Sequence, residues 1–202
     1  MMIKAVFFDM GGVIVRTEFQ APREHLAERL GVEYDELVKL VFESETARKV
    51  SIGLLSEEEQ WAAVIRKLNL PESEIQAIRT EFFGGDVVDL ELLDFIRSLR
   101  KKFKVGLISN ATLGLRPWII SKKFEDVFDA MIISAEVGVE KPDARIYQMA
   151  LEKLGVAARE SVFLDDFLEN VKGAQAVGMQ AIHFVQPQQA LKELNQLLNN
   201  HN

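Results

Sequence analysis

The chain has 202 residues, 48% hydrophobic and 27% charged, a balance that excludes bulk disorder and allows one domain or a core with a small insert. Lys and Arg number 24 against 31 Asp and Glu, a net charge of −7, so a general nucleic-acid binder with its clustered cations is not expected. Cysteine is absent, which excludes disulfides, thiolate metal sites and cysteine nucleophiles.

Residues 3–8 form a short apolar run rich in β-formers, followed by Asp9 and then Gly11 and Gly12. That pattern predicts a buried strand ending in a tight turn. The run is too short for a signal-peptide core, and no apolar stretch approaches the roughly 20 residues of a membrane span. The expectation is a cytoplasmic protein with no membrane partner, and the lack of cysteine suits a reducing compartment.

Residues 16–84 read as entirely helical. Pro22 opens a helix that Gly31 stops, and a second helix runs over residues 34–49 with Leu37, Leu40 and Val41 at helical spacing. Ser56-Glu57-Glu58-Glu59 is a capping box ahead of Trp61, Val64, Ile65 and Leu68. Pro71 opens a fourth helix through Ile75, Ile78 and Phe82, ended by Gly84 and Gly85.

From residue 86 the pattern alternates. Apolar runs at 104–108, 130–133, 161–164 and 180–184 are interleaved with helical segments at 92–100, 113–123, 142–154 and 167–177, and a last helix spans 189–198. Such alternation predicts an α/β fold, a Rossmann-like parallel sheet with helices on both faces, which the first strand joins. The core is then residues 1–15 and 85–202, with 16–84 as a small helical insert. The polar tail Asn199-Asn200-His201-Asn202 is expected to fray.

In open α/β sheets, ligands bind beyond the carboxyl ends of the strands. Asp9, Ser109-Asn110, Lys141 and Asp165-Asp166 all fall at or after such ends. Each alone reads as a helix cap; together they bring an acid, a hydroxyl, an amine and an acid pair to one edge. Clustered carboxylates repel unless a cation is present, and hard oxygen ligands favour Mg²⁺. Ser109 and Lys141 suit a phosphate, and a strand-end carboxylate can itself be a nucleophile.

With these residues in view the chain resembles the haloacid dehalogenase-like (HAD) hydrolase superfamily over essentially its whole length. Asp9-Met10-Gly11-Gly12-Val13 is similar to the first motif, Ser109 to the second, Lys141 in Glu140-Lys141-Pro142-Asp143 to the third, and Phe163-Leu164-Asp165-Asp166 to the fourth. Within the family, residues 141–147 and 163–166 look closest to the α-glucose-1-phosphate phosphatase and soluble epoxide hydrolase amino-terminal phosphatase types. The resemblance implies that residues 16–84 are a cap domain, that Asp9 is the nucleophile forming an aspartyl phosphate, and that Ser109, Asn110 and Lys141 bind the phosphoryl oxygens. It also implies an Mg²⁺ ion held by Asp9, the carbonyl of Gly11, Asp166 and Asp165, and a small phosphorylated metabolite such as a sugar phosphate as substrate.

Two positions depart from that pattern. Most phosphatases of the family carry a second aspartate two residues after the nucleophile, where this chain has Gly11; general acid–base help of this kind is typically worth about 10²–10⁴-fold. Asn170 stands where many relatives have an aspartate. Gly11 keeps two rivals open: a metal-independent dehalogenase, which the acid pair Asp165-Asp166 argues against, and a degenerate binding or scaffold protein. Arg16, Thr17 and Glu18 leave the first motif toward the insert and are candidates for contact with the leaving group. Isolated His25 and His183, core aromatics Trp61 and Trp118, and the basic residues 100–102 at a helix end read as structural.

Overall fold

Ala5-Val6-Phe7-Phe8 are fully buried and form strand β1 (Ala5–Phe8). In the computed structural model, which describes residues 2–199, two short strands follow that the sequence pattern does not reveal. These are β2 (Val15–Thr17) and β3 (Asp86–Val88), paired antiparallel with Arg16 opposite Val87. Arg16 and Thr17 are therefore strand, not the start of a helical block. Four further strands, β4 (Lys104–Ser109), β5 (Ala130–Ile133), β6 (Ser161–Asp165) and β7 (Gln180–His183), join β1 in a parallel sheet ordered β5-β4-β1-β6-β7. The predicted α/β sheet is present, with β1 at its centre.

Five helices lie between β2 and β3: α1 (Ala21–Leu30), α2 (Tyr34–Phe42), α3 (Glu45–Ser51), α4 (Glu57–Lys67) and α5 (Ile75–Phe82). The helix expected over residues 34–49 is thus two. Ser44 breaks it, taking extended backbone and accepting the Ala47 N–H at 3.2 Å as an N-cap. The Ser56 capping box is formed as predicted. The segment after Pro71 starts as a short 3₁₀ turn (Glu72–Glu74) before α5 begins. These helices share a hydrophobic cluster of their own, including Leu26, Leu37, Trp61, Val64, Ile65, Ile78 and Phe82.

The rest of the chain supplies α6 (Leu90–Leu99), α7 (Leu115–Ser121), α8 (Ser134–Val137), α9 (Ala144–Leu154), α10 (Leu168–Ala176) and α11 (Pro187–Asn199). α9 begins after Pro142 because Asp143 caps it, its carboxylate accepting the Arg145 N–H at 2.9 Å. Alternate residues of β1 face opposite sides, as the strand period of two requires. Val6 and Phe8 pack in one cluster with Leu93, Ile96, Ile119 and Leu194; Ala5 and Phe7 pack in another with Ile146, Tyr147, Ala150 and Ala174. Gly106 lies opposite Phe7 in the register, and a Cβ there would come within 2.5 Å of the Phe7 ring. No helix among the described residues is long and apolar enough to cross a membrane. Of the tail expected to fray, Asn199 ends α11 and residues 200–202 lie outside the described residues.

Candidate active site

The register of the sheet brings the predicted residues to one edge. β1 pairs Phe8 with Leu107 of β4 and with Leu164 of β6, so Asp9 stands level with Asp165, and Ser109 ends the strand on the other side. Asp9, Asp165 and Asp166 each offer a carboxylate oxygen, and these oxygens lie within 4.8 Å of one another. Lys141, in the loop after α8, reaches in with Nζ 2.9 Å from Asp9 Oδ1 and 2.6 Å from Asp165 Oδ2. The side chains of Lys141 and Asp165 are 0% exposed. Ser109 is buried.

Each member is held in place. The Met10 N–H donates to Asp9 Oδ1 at 2.7 Å. Asn110 clamps the backbone of Lys141, donating from Nδ2 to its carbonyl at 2.9 Å and accepting its N–H at 2.7 Å through Oδ1. Asp165 Oδ1 accepts the Phe167 N–H at 2.8 Å, and Asn170 Nδ2 lies 3.1 and 3.2 Å from the two Asp165 oxygens. Asn170 is itself fixed where Tyr147 donates its hydroxyl to the Asn170 carbonyl at 2.8 Å. His183 Nε2 lies 2.8 Å from the backbone carbonyl of Asp166. His183 and Tyr147 carry no sequence signal, since their partners are backbone atoms distant in the chain.

The two acids of the pair therefore differ. Asp165 is saturated by lysine, amide and backbone donors. Asp166 Oδ1 is buried without a hydrogen-bond partner, and a buried polar atom left so calls for an explanation. Gly12 makes room for it: its φ is +72°, and a Cβ there would overlap the Asp166 carboxylate.

Burial dominates the electrostatics. It pushes the Asp9 carboxyl up to about 7, with Lys141 opposing and the Asp165 and Asp166 charges reinforcing the rise. Burial, with the Asp165 charge, lifts Asp166 to about 6. Burial alone disfavours the Lys141 ammonium, but Asp9 and Asp165 outweigh it and hold its pKa above the usual value. The cluster carries more carboxylate than one lysine neutralises. Its oxygens, with the orphaned Asp166 Oδ1, fit a hard divalent cation.

Arg16, Thr17 and Glu18 all engage other side chains. Arg16 pairs with Asp89 at 2.8 Å and Glu18 at 3.0 Å, and the Thr17 hydroxyl donates to Asp86 at 2.7 Å. Buried Arg23 joins them, donating to Asp86 and to the Phe82 carbonyl at 3.0 Å. These bonds stitch the β2–β3 ribbon.

A parallel sheet with helices on both faces, carrying a buried lysine among carboxylates at its carboxyl edge, defines an α/β protein with an acidic centre. The chain belongs to the haloacid dehalogenase-like hydrolase family, whose model matches residues 3–178. It is 29% identical over 197 residues to a sesquiterpene phosphatase of Aspergillus oryzae, covering 96% of each chain. It is 26% identical over 206 residues to a D-ribitol-5-phosphate phosphatase of Bacteroides thetaiotaomicron, covering 98% of this chain and 100% of that one. A HAD family enzyme from the same bacterium, solved in complex with magnesium and inorganic phosphate, superposes with a TM-score of 0.73 at 23% identity, over 89% of this chain and 93% of that one.

Proposed function

We propose that this hydrolase cleaves small phosphate monoesters through an aspartyl-phosphate on Asp9, with residues 16–84 as a cap over the site. The observation that carries the reading is the buried Asp9–Lys141–Asp165 cluster beside the unpartnered Asp166 Oδ1. Asp9, Asp166 and the Gly11 carbonyl would hold Mg²⁺, with Asp165 assisting. Bound there, Mg²⁺ supplies positive charge to the transferring phosphoryl oxygens.

Asp9 Oδ1 is taken by Lys141 and the Met10 N–H, which leaves Oδ2 to attack phosphorus. The P–O bond to the alcohol breaks as the Asp9 O–P bond forms, and the alkoxide takes its proton from solvent. Water then cleaves the acyl phosphate, releasing inorganic phosphate and restoring Asp9. Lys141 Nζ and the Ser109 hydroxyl orient the phosphoryl oxygens, and Asn110 keeps Lys141 aligned through its backbone. The phosphatase names and the magnesium–phosphate complex among the relatives support this reading, and the ribitol phosphate relative favours a sugar or polyol phosphate. Phosphate release in Mg²⁺ from sugar-1-phosphates, sugar-6-phosphates, polyol phosphates, acyl phosphates and nucleotides tests it. Turnover of the sugar or polyol esters, abolished by EDTA, is expected; no release from any substrate sinks the phosphatase reading.

Gly11 leaves the departing alcohol without a local acid. A Cβ built there meets nothing within 4 Å, so the backbone position accepts a side chain in Gly11→Asp. Up to about 10²-fold faster turnover of alkyl phosphates is expected, with much less gain for p-nitrophenyl phosphate, whose leaving group needs no proton. An equal gain on both would remove the leaving-group argument.

The raised carboxyls also predict a pH dependence. A group raised in the folded state stabilises it fully below the unfolded value of 3.8 and loses that stabilisation as pH rises through the folded value, about 7 for Asp9 and about 6 for Asp166. The metal-free chain thus loses stability between about pH 4 and 7, and Mg²⁺ offsets the loss because it binds the ionised acids. The rise in Tm produced by Mg²⁺ over EDTA is expected to be larger at about pH 8 than at about pH 5. A shift independent of pH would contradict it.

A further inference from the structure

The inserted helices touch the core at two loops that carry site residues. At the first, Glu57, which opens α4, accepts the Thr112 hydroxyl proton on Oε1 and pairs through Oε2 with Arg79 of α5. Thr112 lies in the loop that leaves β4 through Ser109 and Asn110. The directions of donation are consistent: the Gly114 N–H donates to Thr112 Oγ1 at 3.2 Å, and the Thr112 hydroxyl in turn donates a hydrogen bond to Glu57. A Cβ on Gly114 would overlap Glu57 Oε1, so the loop is bare of side chain where the carboxylate enters. At the second, the Ser51 hydroxyl faces Glu140, the residue before Lys141, and shares its single proton with the Arg48 carbonyl at 2.9 Å. Gly53 follows with φ +76°, and a Cβ there would overlap the Ala135 carbonyl.

What Glu57 grips is wired to the site. Ala111 donates its N–H to Ser134 Oγ at 2.9 Å, and its carbonyl accepts the Ala135 N–H at 3.2 Å. Asn110, one residue earlier, clamps the backbone of Lys141, whose ammonium lies on Asp9 and Asp165. We propose that Glu57 is a positioning residue: fixed by Arg79, its carboxylate latches the helical block onto the Thr112 loop and keeps Asn110 and Lys141 in register with Asp9. The Arg79–Glu57 pair alone is too exposed, at 40% and 18%, to carry weight as an ion pair. Its effect is to stop the Glu57 carboxylate turning to solvent, so that it stays on Thr112.

The kinetic arm of the test rests on the phosphatase reading; the exchange arm does not. Glu57→Gln, Thr112→Val and Thr112→Ser are compared in the full chain by phosphate release from p-nitrophenyl phosphate in Mg²⁺ and by amide hydrogen exchange without substrate. Thr112→Val, which removes the donor, is expected to lower kcat about tenfold with KM little changed, and Glu57→Gln, whose amide oxygen still accepts but carries no charge to hold Arg79, a few fold. Thr112→Ser keeps the hydroxyl and is expected to retain near wild-type kcat. The double variant Glu57→Gln/Thr112→Val is expected to be no worse than Thr112→Val alone, since that substitution already removes the contact. Exchange at Ala111 and Ala135, whose bonds neither substitution touches, quickens in both single variants, while Val64 and Ile65 inside α4 stay protected. Unchanged exchange at Ala111 and Ala135 overturns the proposal even if turnover falls, and so does failure of Thr112→Ser to rescue. If Glu57→Gln also exposes α4, Thr112→Val leaves the helical block intact and decides alone. A wild-type chain that releases no phosphate defeats the phosphatase reading, and the exchange result then stands by itself.

Discussion

Asp9→Asn is expected to remove phosphate release, lowering kcat by at least about 10³-fold, the scale of losing a nucleophile that other residues cannot replace. The amide keeps the shape of the carboxylate and still accepts the Met10 N–H, so the lesion is chemical rather than structural. The substitution also relieves the site. Burial already lifts the Asp9 carboxyl to about 7, with the Asp165 and Asp166 charges adding to the rise. A neutral amide at that position imitates the protonated acid. Without metal, the variant is therefore expected to match the wild type in stability below about pH 4, to exceed it increasingly between about pH 4 and 7, and to keep that advantage above. Two measurements check this: acid quench of a turnover mixture, where wild type retains an acid-stable, base-labile acyl phosphate and Asp9→Asn none, and thermal unfolding in EDTA across that range. Phosphate release from Asp9→Asn at the wild-type rate would take Asp9 out of the nucleophile's place. The same trapping separates the enzyme from a degenerate scaffold, since a scaffold accumulates no phosphoryl group.

What could be read in the chain depended on how local its signal was. Asp9, Ser109 and Asp165-Asp166 stand at or directly after apolar runs, and Lys141 in the loop that follows another, so strand ends and chemistry were legible together, and the parallel sheet followed from strand–helix alternation. β2 and β3 escaped because three residues are too few to display a period of two, and their pairing joins positions on either side of the helical block. The split between α2 and α3 lay with Ser44, an N-cap hidden inside a run of helical spacing. Which acid of the pair is saturated was not legible either. It depends on the Lys141 ammonium, the Phe167 N–H and Asn170 all converging on Asp165, and on Gly12 clearing space for Asp166. Glu57 gave no sign beyond its place in a capping box, because its partners Thr112 and Arg79 lie on other elements.

Lys141→Met is expected to destabilise the metal-free protein by roughly 3–5 kcal/mol, the usual result of removing one partner from a buried ion pair. Methionine replaces most of the lysine stem without crowding, so the loss is mainly electrostatic. Lys141 is the cation that faces both Asp9 and Asp165, and Asp165 is fully buried. Without the ammonium, Asp165 keeps the Phe167 N–H and Asn170 amide bonds but loses its charge partner, and the three acids repel across less than 4.8 Å. Mg²⁺ replaces part of the missing positive charge, so the destabilisation should shrink when the ion is saturating. Asp165→Asn in the same chain should recover much of the stability in EDTA, because the uncompensated charge is then gone. Neither change is expected to restore turnover, since the lysine proposed to meet the phosphoryl oxygens is still absent. Denaturant unfolding in EDTA and in Mg²⁺ measures both effects. A loss in EDTA below about 1 kcal/mol, the scale of a surface pair, would show that water reaches Asp165 and that the burial argument for the whole cluster is wrong.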